Sequence, residues 1–206
     1  MRCSLKHEKK LRAAGYAIIA GIDEAGCGPL AGPVVAAAVV LPGNFRHKVL
    51  NDSKQVAPEK REAIFEELTV RADVAWAVSV VAHDEIDRFN ILRAAHLGMK
   101  RAVEQLPQRP DHVLIDGRPV HGFPVAATSL VKGDALSFSI AAASIVAKVT
   151  RDRLMLAFDV QFPEYGFAQH KGYGTPLHLE RLRTYGPCPI HRRSFLPVQQ
   201  LLLRFD

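Results

Sequence analysis

Acidic side chains stand at three points of the chain where an apolar pattern begins or ends. Asp23 and Glu24 follow the run AIIAGI, Asp116 follows HVLI, and Asp134 opens a long apolar stretch of helical spacing. Carboxylates at strand ends meet where an α/β sheet presents its loops, and clusters of oxygen ligands suit Mg²⁺ or Mn²⁺ rather than Zn²⁺. Each aspartate could equally cap a turn, and spacing alone does not show that the side chains converge.

Two glycines flank Cys27 just after the first acidic pair. Gly26 and Gly28 would let the backbone approach a bound molecule closely, although a tight turn after a strand explains them as well. Cys3, Cys27 and Cys188 are odd in number and scattered, which argues against a disulfide framework and a structural zinc site. We therefore expect reduced thiols and a cytoplasmic protein, since the charged N-terminus has no apolar signal segment.

The composition is that of an ordinary globular protein, with 48% hydrophobic and 23% charged residues among 206. The formal charge of +6 favours a polyanionic partner, because lysines and arginines that neutralise phosphates release counterions. The longest apolar stretch, residues 33–41, is far shorter than the roughly 20 residues of a membrane-spanning helix. We expect no membrane span and one domain over residues 1–206, with a catalytic core at about 16–160 and a C-terminal loop-and-helix region at about 161–206.

Apolar periodicity predicts the elements that would position the acidic residues. The predicted strands cover residues 16–23, 33–41, 73–82, 112–116 and 123–127. The predicted helices cover residues 6–14, 58–70, 86–106, 134–158, 175–184 and 195–203. In this prediction Asp134 occupies the N-terminal turn of the longest helix. The order of elements favours a mixed sheet covered by helices on both faces, which is an α/β fold.

Several motifs together resemble those of the type 2 ribonucleases H, the ribonuclease HII family. The run at residues 21–35, GIDEAGCGPLAGPVV, is similar to the opening signature of that family. Further matches follow in the family's order: DSK at 52–54, IDG at 115–117, KGD at 132–134, SIAAASIVAKVTRD at 139–152 and HKGYGT at 170–175. One such motif would be weak, but several in order at compatible spacing are specific. The resemblance implies a ribonuclease H-like fold with a C-terminal helical extension.

The resemblance implies that the catalytic carboxylates are Asp23, Glu24, Asp116 and Asp134, all present here. It implies two divalent cations, Mg²⁺ or Mn²⁺, one lowering the pKa of the attacking water and the other stabilising the leaving oxygen. Cleavage would fall on the 5′ side of a ribonucleotide in an RNA–DNA hybrid or in duplex DNA, leaving 3′-hydroxyl and 5′-phosphate ends. Such an enzyme would remove misincorporated ribonucleotides and RNA primers. This mechanism requires no histidine, so we expect the histidines to be structural or solvated.

The resemblance also implies contacts with the substrate. The backbone of Gly26, Cys27 and Gly28 would read the ribose 2′-hydroxyl. The family normally has arginine between these glycines, so Cys27 is a departure that puts a phosphate contact from this side chain in doubt. Tyr173 would probe the step between a ribonucleotide and the following deoxyribonucleotide. Phosphate contacts that position the duplex would come from Ser53, Lys54, Lys148 and Lys171.

Two alternatives stay open at this stage. The type 3 ribonucleases H resemble this core but carry an additional N-terminal domain, whereas only about twenty residues precede Asp23. A catalytically inactive nucleic-acid-binding module would keep its acidic residues only as turn caps, yet clustered negative charge weakens DNA binding unless metals offset it. We expect a monomer that binds nucleic acid and no membrane, and a replication clamp is left open as a protein partner.

Overall fold

A mixed five-stranded sheet forms the centre of the computed structural model, which describes residues 3–53 and 55–205. The strands are β1 Ile19–Ala25, β2 Val34–Val40, β3 Ala75–Val81, β4 His112–Asp116 and β5 Ala126–Leu130. They lie in the order β3-β2-β1-β4-β5. β1, β2 and β3 pair antiparallel in succession, whereas β4 runs parallel to β1 and β5 parallel to β4. This arrangement confirms the predicted α/β class.

Helices cover both faces of the sheet. They are α1 Lys6–Ala13, α2 Pro58–Val70, α3 His83–Phe89, α4 Ile91–Glu104, α5 Phe138–Gln161, α6 Phe167–His170, α7 Pro176–Tyr185 and α8 Leu196–Phe205. Because side chains alternate along a strand, Val35 and Ala37 pack in the cluster with α5, whereas Ala36 and Ala38 pack in the cluster with α4. No helix in the described part of the chain is both long and apolar enough to cross a membrane.

α5 crosses β1 with the two backbones in contact. A Cβ atom at Gly21 would lie 2.0 Å from the main-chain carbon of Ser139, so only glycine permits this approach. Ala141, Ala142 and Ala143 are fully buried in the same helix and keep it close to the sheet. This contact brings the N-terminal half of α5 next to the carboxyl end of β1.

A buried carboxylate from α1 ties the N-terminal region to the start of α5. Glu8 is 1% exposed, and its Oε1 accepts hydrogen bonds from the hydroxyls of Ser137 and Ser139 at 2.6 and 2.7 Å. It also accepts the Ser139 N–H at 3.0 Å. A negative charge is favourable at a helix N-terminus, where N–H groups lack helical partners. Glu8 therefore stabilises the beginning of α5 from far away in the sequence.

Two predicted helices differ from those observed. The helix predicted at 86–106 is two helices, because Asn90 adopts a φ of +68° and its side chain accepts the Arg93 N–H at 3.1 Å, which caps α4. The helix predicted to begin at Asp134 begins at Phe138 instead. Ser137 caps it by accepting the Ile140 N–H at 3.2 Å. Asp134 lies in a separate 3₁₀ turn, Gly133–Ala135, and β5 starts three residues later than predicted.

Candidate active site

Asp23 and Asp116 lie side by side at the carboxyl ends of neighbouring parallel strands. β1 and β4 pair with Ile22 opposite Ile115, so the next residue of each strand brings a carboxylate to the same edge. Asp134 reaches this edge from the turn that follows β5. One carboxylate oxygen from each of the three aspartates lies within 4.8 Å of the others. The convergence that spacing left open is therefore present in the structure.

Asp116 also holds the turn that carries Asp134. The N–H of Gly133 donates to Asp116 Oδ1 at 2.6 Å, which joins the end of β4 to this turn. Lys132, just before the turn, adopts a left-handed conformation with φ of +58°. Asp134 is buried, at 8% exposure, although it follows a lysine and a glycine that suggest a surface loop. The turn, rather than a helix N-terminus, therefore delivers the third carboxylate.

The carboxylates repel one another at close range. Burial, followed by the charges of Glu24 and Asp116, raises the pKa of Asp23 well above its usual value. A hydrogen bond from Ser144 and the Glu24 N–H, 2.8 Å from Asp23 Oδ1, oppose this increase only in part. A divalent cation would offset the repulsion, and the oxygen-only ligand set suits Mg²⁺ or Mn²⁺. Asp23, Asp116 and Asp134 therefore fit a metal centre.

Glu24 lies beside this group of three rather than within it. It is half-buried at the end of β1 and lines an adjoining cleft of about 410 Å³ together with Asp23. Its Oε1 accepts a weak hydrogen bond from Cys27 Sγ at 3.6 Å. Glu24 is thus placed to contribute charge at the mouth of the aspartate cluster.

Most of the predicted substrate contacts line the same cleft. These residues are Gly26, Cys27, Gly28, Ser53, Lys148 and Tyr173. Ser144 lines it as well, and its hydroxyl oxygen lies within hydrogen-bond distance of Ser53 Oγ, at 2.8 Å. The Lys171 ammonium instead donates to the carbonyl oxygen of Ala168, and Lys54 lies outside the described residues. The phosphate contacts of these two lysines stay predictions.

Tyr173 lines the cleft close to the glycine loop. Its side chain is 41% exposed, and a Cβ atom at Gly28 would lie 3.7 Å from its ring. Lys148 Nζ and Arg151 Cζ each lie 5.9 Å from the ring centroid, within the distance of a cation–π contact. Lys148 also pairs with Asp152 Oδ1 at 2.8 Å. The ring and the loop therefore lie close together at the border of the cleft, with positive charge beside the ring.

The side chain of Cys27 packs partly against the apolar cluster of α3 and α4. Burial and the neighbouring Glu24 raise the pKa of its thiol to about 12. The thiol is therefore protonated near neutral pH, and a reactive cysteine is not favoured here. Gly26 before it has a φ of +101°, and a Cβ atom there would lie 2.8 Å from the Pro33 carbonyl oxygen. The loop conformation thus depends on glycine at position 26.

The buried side chain of Arg192 binds the main chain of this loop, a role that the sequence did not indicate. The side chain is fully buried and donates to four main-chain oxygens: Gly26 at 2.6 Å, Cys27 at 3.1 Å, Gly32 at 2.9 Å and Pro33 at 3.2 Å. The guanidinium fork thereby fixes the carbonyls of the loop that borders the cleft. No local sequence pattern marks a buried arginine, so this role could not be read from the HRR segment.

Arg151 links the same loop to the segment that carries Tyr173. It is also fully buried and donates to the oxygens of Ala31 at 3.2 Å, Pro33 at 2.9 Å and Lys171 at 3.0 Å. Among the described residues, neither Arg151 nor Arg192 takes part in an ion pair within 4.0 Å. Carbonyl oxygens accept the hydrogen bonds of both guanidinium groups but do not cancel their net charge. This charge therefore adds to the attraction of a polyanion.

The sequence model of one protein family, described as "Ribonuclease HII", matches residues 20–198. A ribonuclease HII of Myxococcus xanthus is 56% identical over 203 residues, covering 98% of this chain and 69% of the relative. One of Acholeplasma laidlawii is 52% identical over 199 residues and covers 97% of both chains.

Solved structures show the same fold. Ribonuclease H2 from Pyrococcus horikoshii has a TM-score of 0.78 at 29% identity, covering 92% of this chain and 99% of that one. RNase HII of Archaeoglobus fulgidus, solved in a complex with PCNA, has a TM-score of 0.70 at 25% identity, covering 87% and 95%. Bst-RNase HIII, at 19% identity and a TM-score of 0.70, shares the fold over 91% of this chain and 70% of its own.

Proposed function

The chain belongs to the ribonuclease HII family and is an RNase H enzyme acting on RNA–DNA hybrids, and we propose that it cuts on the 5′ side of a ribonucleotide. The substrate would be an RNA–DNA hybrid or duplex DNA with embedded ribonucleotides, and the ends would be a 3′-hydroxyl and a 5′-phosphate. One observation carries this proposal. Three aspartates converge, and one of them, Asp23, lines a cleft that is also lined by the Gly26–Gly28 loop and Tyr173.

Asp23, Asp116 and Asp134, with Glu24 beside them, would hold two divalent cations, Mg²⁺ or Mn²⁺. Bound there, such cations lower the pKa of a water nucleophile and stabilise charge on the leaving oxygen. The protein prepares the ligands for this task. Asp116 is oriented by the Gly133 N–H, and Asp23 by Ser144 and the Glu24 N–H, so the carboxylates need little rearrangement on binding.

Recognition of the ribose would come from the walls of the cleft. Gly28 has no side chain, and a Cβ atom placed there would already be in van der Waals contact with the Tyr173 ring, at 3.7 Å. A ribose bound in the cleft beside this contact could offer its 2′-hydroxyl to the loop backbone while its carbon face packs on the exposed part of the ring. A deoxyribose would lack that hydrogen bond, so a duplex of deoxyribonucleotides alone would resist cleavage.

The positive border of the cleft would position the phosphates. Lys148 lies close to Tyr173, and the buried charges of Arg151 and Arg192 lie behind the loop. Phosphate contacts fix the register of a duplex without reading its sequence, which suits an enzyme that must act anywhere in a genome. Removal of misincorporated ribonucleotides and RNA primers, in the cytoplasm, would be its role. Monomeric state, a single domain and a replication-clamp partner stay predictions.

The test is cleavage of a DNA duplex with one ribonucleotide, with both new ends identified by mass spectrometry. A 3′-hydroxyl upstream and a 5′-phosphorylated ribonucleotide downstream are expected, and an all-deoxy duplex should stay intact. A 2′,3′-cyclic phosphate, or cleavage that survives excess chelator, would refute the carboxylate-metal mechanism.

Asp116→Asn tests the ligand role within the same assay. It should lower turnover more than about tenfold while duplex binding persists, because one ligand charge is removed and the phosphate contacts remain. Asp73→Asn is the matched control. Asp73 precedes β3, an outermost strand of the sheet, and pairs with Arg71. Turnover above about a tenth of wild type in Asp116→Asn would remove Asp116 from the ligand set.

A further inference from the structure

Three buried histidines lie behind the segment that carries Tyr173, and the proposed mechanism uses none of them. His170, His178 and His191 are 7%, 0% and 1% exposed. The rings of His170 and His178 stack with centroids 4.4 Å apart, and those of His178 and His191 lie 5.2 Å apart. Buried imidazoles need partners for both nitrogens, so the hydrogen bonds of this cluster decide where each proton lies.

The tautomer of His178 follows from its partner. Its Nδ1 lies 2.9 Å from the carbonyl oxygen of Tyr173, which can only accept, so Nδ1 carries the proton. Burial lowers the pKa of His178 to about 4, and the ring is therefore neutral at neutral pH. Its Nε2 is then an acceptor. That atom lies 3.0 Å from Nε2 of His191, which must donate.

The tautomer of His191 is fixed in turn. Burial lowers its pKa to about 3, so a ring that donates from Nε2 has an unprotonated Nδ1. This Nδ1 accepts the main-chain N–H of Cys188 at 3.0 Å. A proton on Nδ1, directed at the Cys188 carbonyl 3.3 Å away, would oblige the buried His178 to carry two protons. One ordered chain of donors therefore runs from Cys188 through both histidines to Tyr173.

His170 secures the other side of the same segment. Its Nε2 donates to the Tyr165 carbonyl at 3.0 Å, and its Nδ1 accepts the Gly172 N–H at 3.2 Å. The Tyr173 N–H donates to the carbonyl of His170 at 2.9 Å. The peptide groups on both sides of the Tyr173 Cα atom are thus held by histidine residues.

We infer that His178 is a positioning residue that fixes the main chain of Tyr173 so that the ring faces the cleft, with His191 setting the tautomer of His178. The inference deepens the proposed function, since it rests on Tyr173 reading the ribose at the site of cleavage. It assigns a role to histidines that are buried and do not line the cleft.

Two substitutions of the same residue separate this role from simple packing. Asparagine at 178 places an amide donor where Nδ1 lies, whereas glutamine places its amide near the position of Nε2. His178→Asn should keep kcat/KM on the single-ribonucleotide duplex within about twofold of wild type, and His178→Gln should lower it about fivefold, because one hydrogen bond to Tyr173 is lost. The Tyr173 oxygen retains the Thr175 N–H at 2.8 Å, which limits the loss. His121→Gln, at an exposed site, is the control and should change nothing.

Equal losses in the asparagine and glutamine variants, or no loss in either, would overturn the inference. The tautomers are tested separately on the wild-type protein by ¹⁵N NMR, which should show a protonated Nδ1 in His178 and a protonated Nε2 in His191. The opposite pattern would overturn the chain even if a variant fails to fold. If the wild type does not cut the single-ribonucleotide duplex, the proposed function has failed, whereas indistinguishable variants of an active wild type refute only the positioning role.

Discussion

Acidification should destabilise the folded chain through the same buried histidines. Their pKa values are about 4 for His178 and about 3 for His191 in the folded state, against an ordinary value of 6.5. The folded state favours the neutral form of both imidazoles, so the unfolded state binds more protons at pH values between the folded-state pKa values and 6.5. The stabilisation is complete above pH 6.5 and is lost progressively as pH falls from 6.5 toward 4 and 3.

The size of the effect at pH 5 depends little on the folded-state values. Both folded rings are still neutral there, while an unfolded histidine with a pKa of 6.5 is almost fully protonated. Each histidine therefore contributes a loss of about 2 kcal/mol between pH 7.5 and 5.0, and the pair contributes about 4 kcal/mol. This is a large part of the 5–15 kcal/mol by which a typical domain is stable.

Urea unfolding at pH 7.5 and 5.0, with chelator present, measures this loss. Asp23 acts in the opposite direction, since its raised pKa means that protonation on acidification stabilises the folded state. The comparison is therefore made in an Asp23→Asn background. Adding His178→Asn to this background should reduce the acid-induced loss by about 2 kcal/mol. The reasoning fails if the loss is the same with and without His178, because the ring would then be protonated equally in both states.

Three further outcomes are expected. Arg192→Lys should lower both the melting temperature and the cleavage rate, because lysine lacks the planar fork that holds four carbonyls, whereas the same change at exposed Arg193 should lower neither. Cys27→Ala should remain active and Cys27→Pro should not, since proline deletes a backbone donor and fixes φ; a dead alanine and an active proline variant would contradict recognition through the backbone. Asp23→Asn should raise the melting temperature in chelator by at least about 2 °C, because it removes a buried charge that Glu24 and Asp116 repel. Thermal unfolding with and without Mn²⁺ should show that the metal stabilises the wild type more than the variant, because the variant has lost one ligand charge.

The sequence predicted the elements that carry the carboxylates because their signals are local. The apolar runs that end at Asp23 and Asp116 are strands, as predicted. That these two strands are parallel neighbours, which places both side chains at one end of the sheet, is visible only in the structure. The turn that contains Asp134 was harder to predict from the sequence, because an aspartate before a helical pattern resembles an N-cap. Only the structure shows that Ser137 is the N-cap of α5. The helix break at Asn90 escaped prediction for a similar reason, because one residue with positive φ interrupts an otherwise continuous pattern.

The supports behind the site could not be predicted. Arg151 lay in a motif that carries the family resemblance, yet nothing in that motif shows that its guanidinium is buried under a loop more than a hundred residues away. Arg192 lay outside every motif. The histidines were expected to be structural or solvated, and four of them are buried: His112, His170, His178 and His191. The order of His178 and His191 as donor and acceptor depends on contacts between distant segments, which the sequence does not show. Such long-range satisfaction of polar groups leaves no periodic trace in a sequence.

The bond between Glu8 and Ser139 spans 131 residues, and this separation has a consequence for synthesis on the ribosome. At about 5–20 residues per second, Glu8 would wait roughly 7–26 s for its partner to be made. β1, β2 and β3 can pair early, but the helix that covers them and the aspartate at position 134 are translated much later. Once β3 has been made, the sheet face that α5 covers therefore stays exposed until α5 emerges and docks, and no nuclease site is assembled before then.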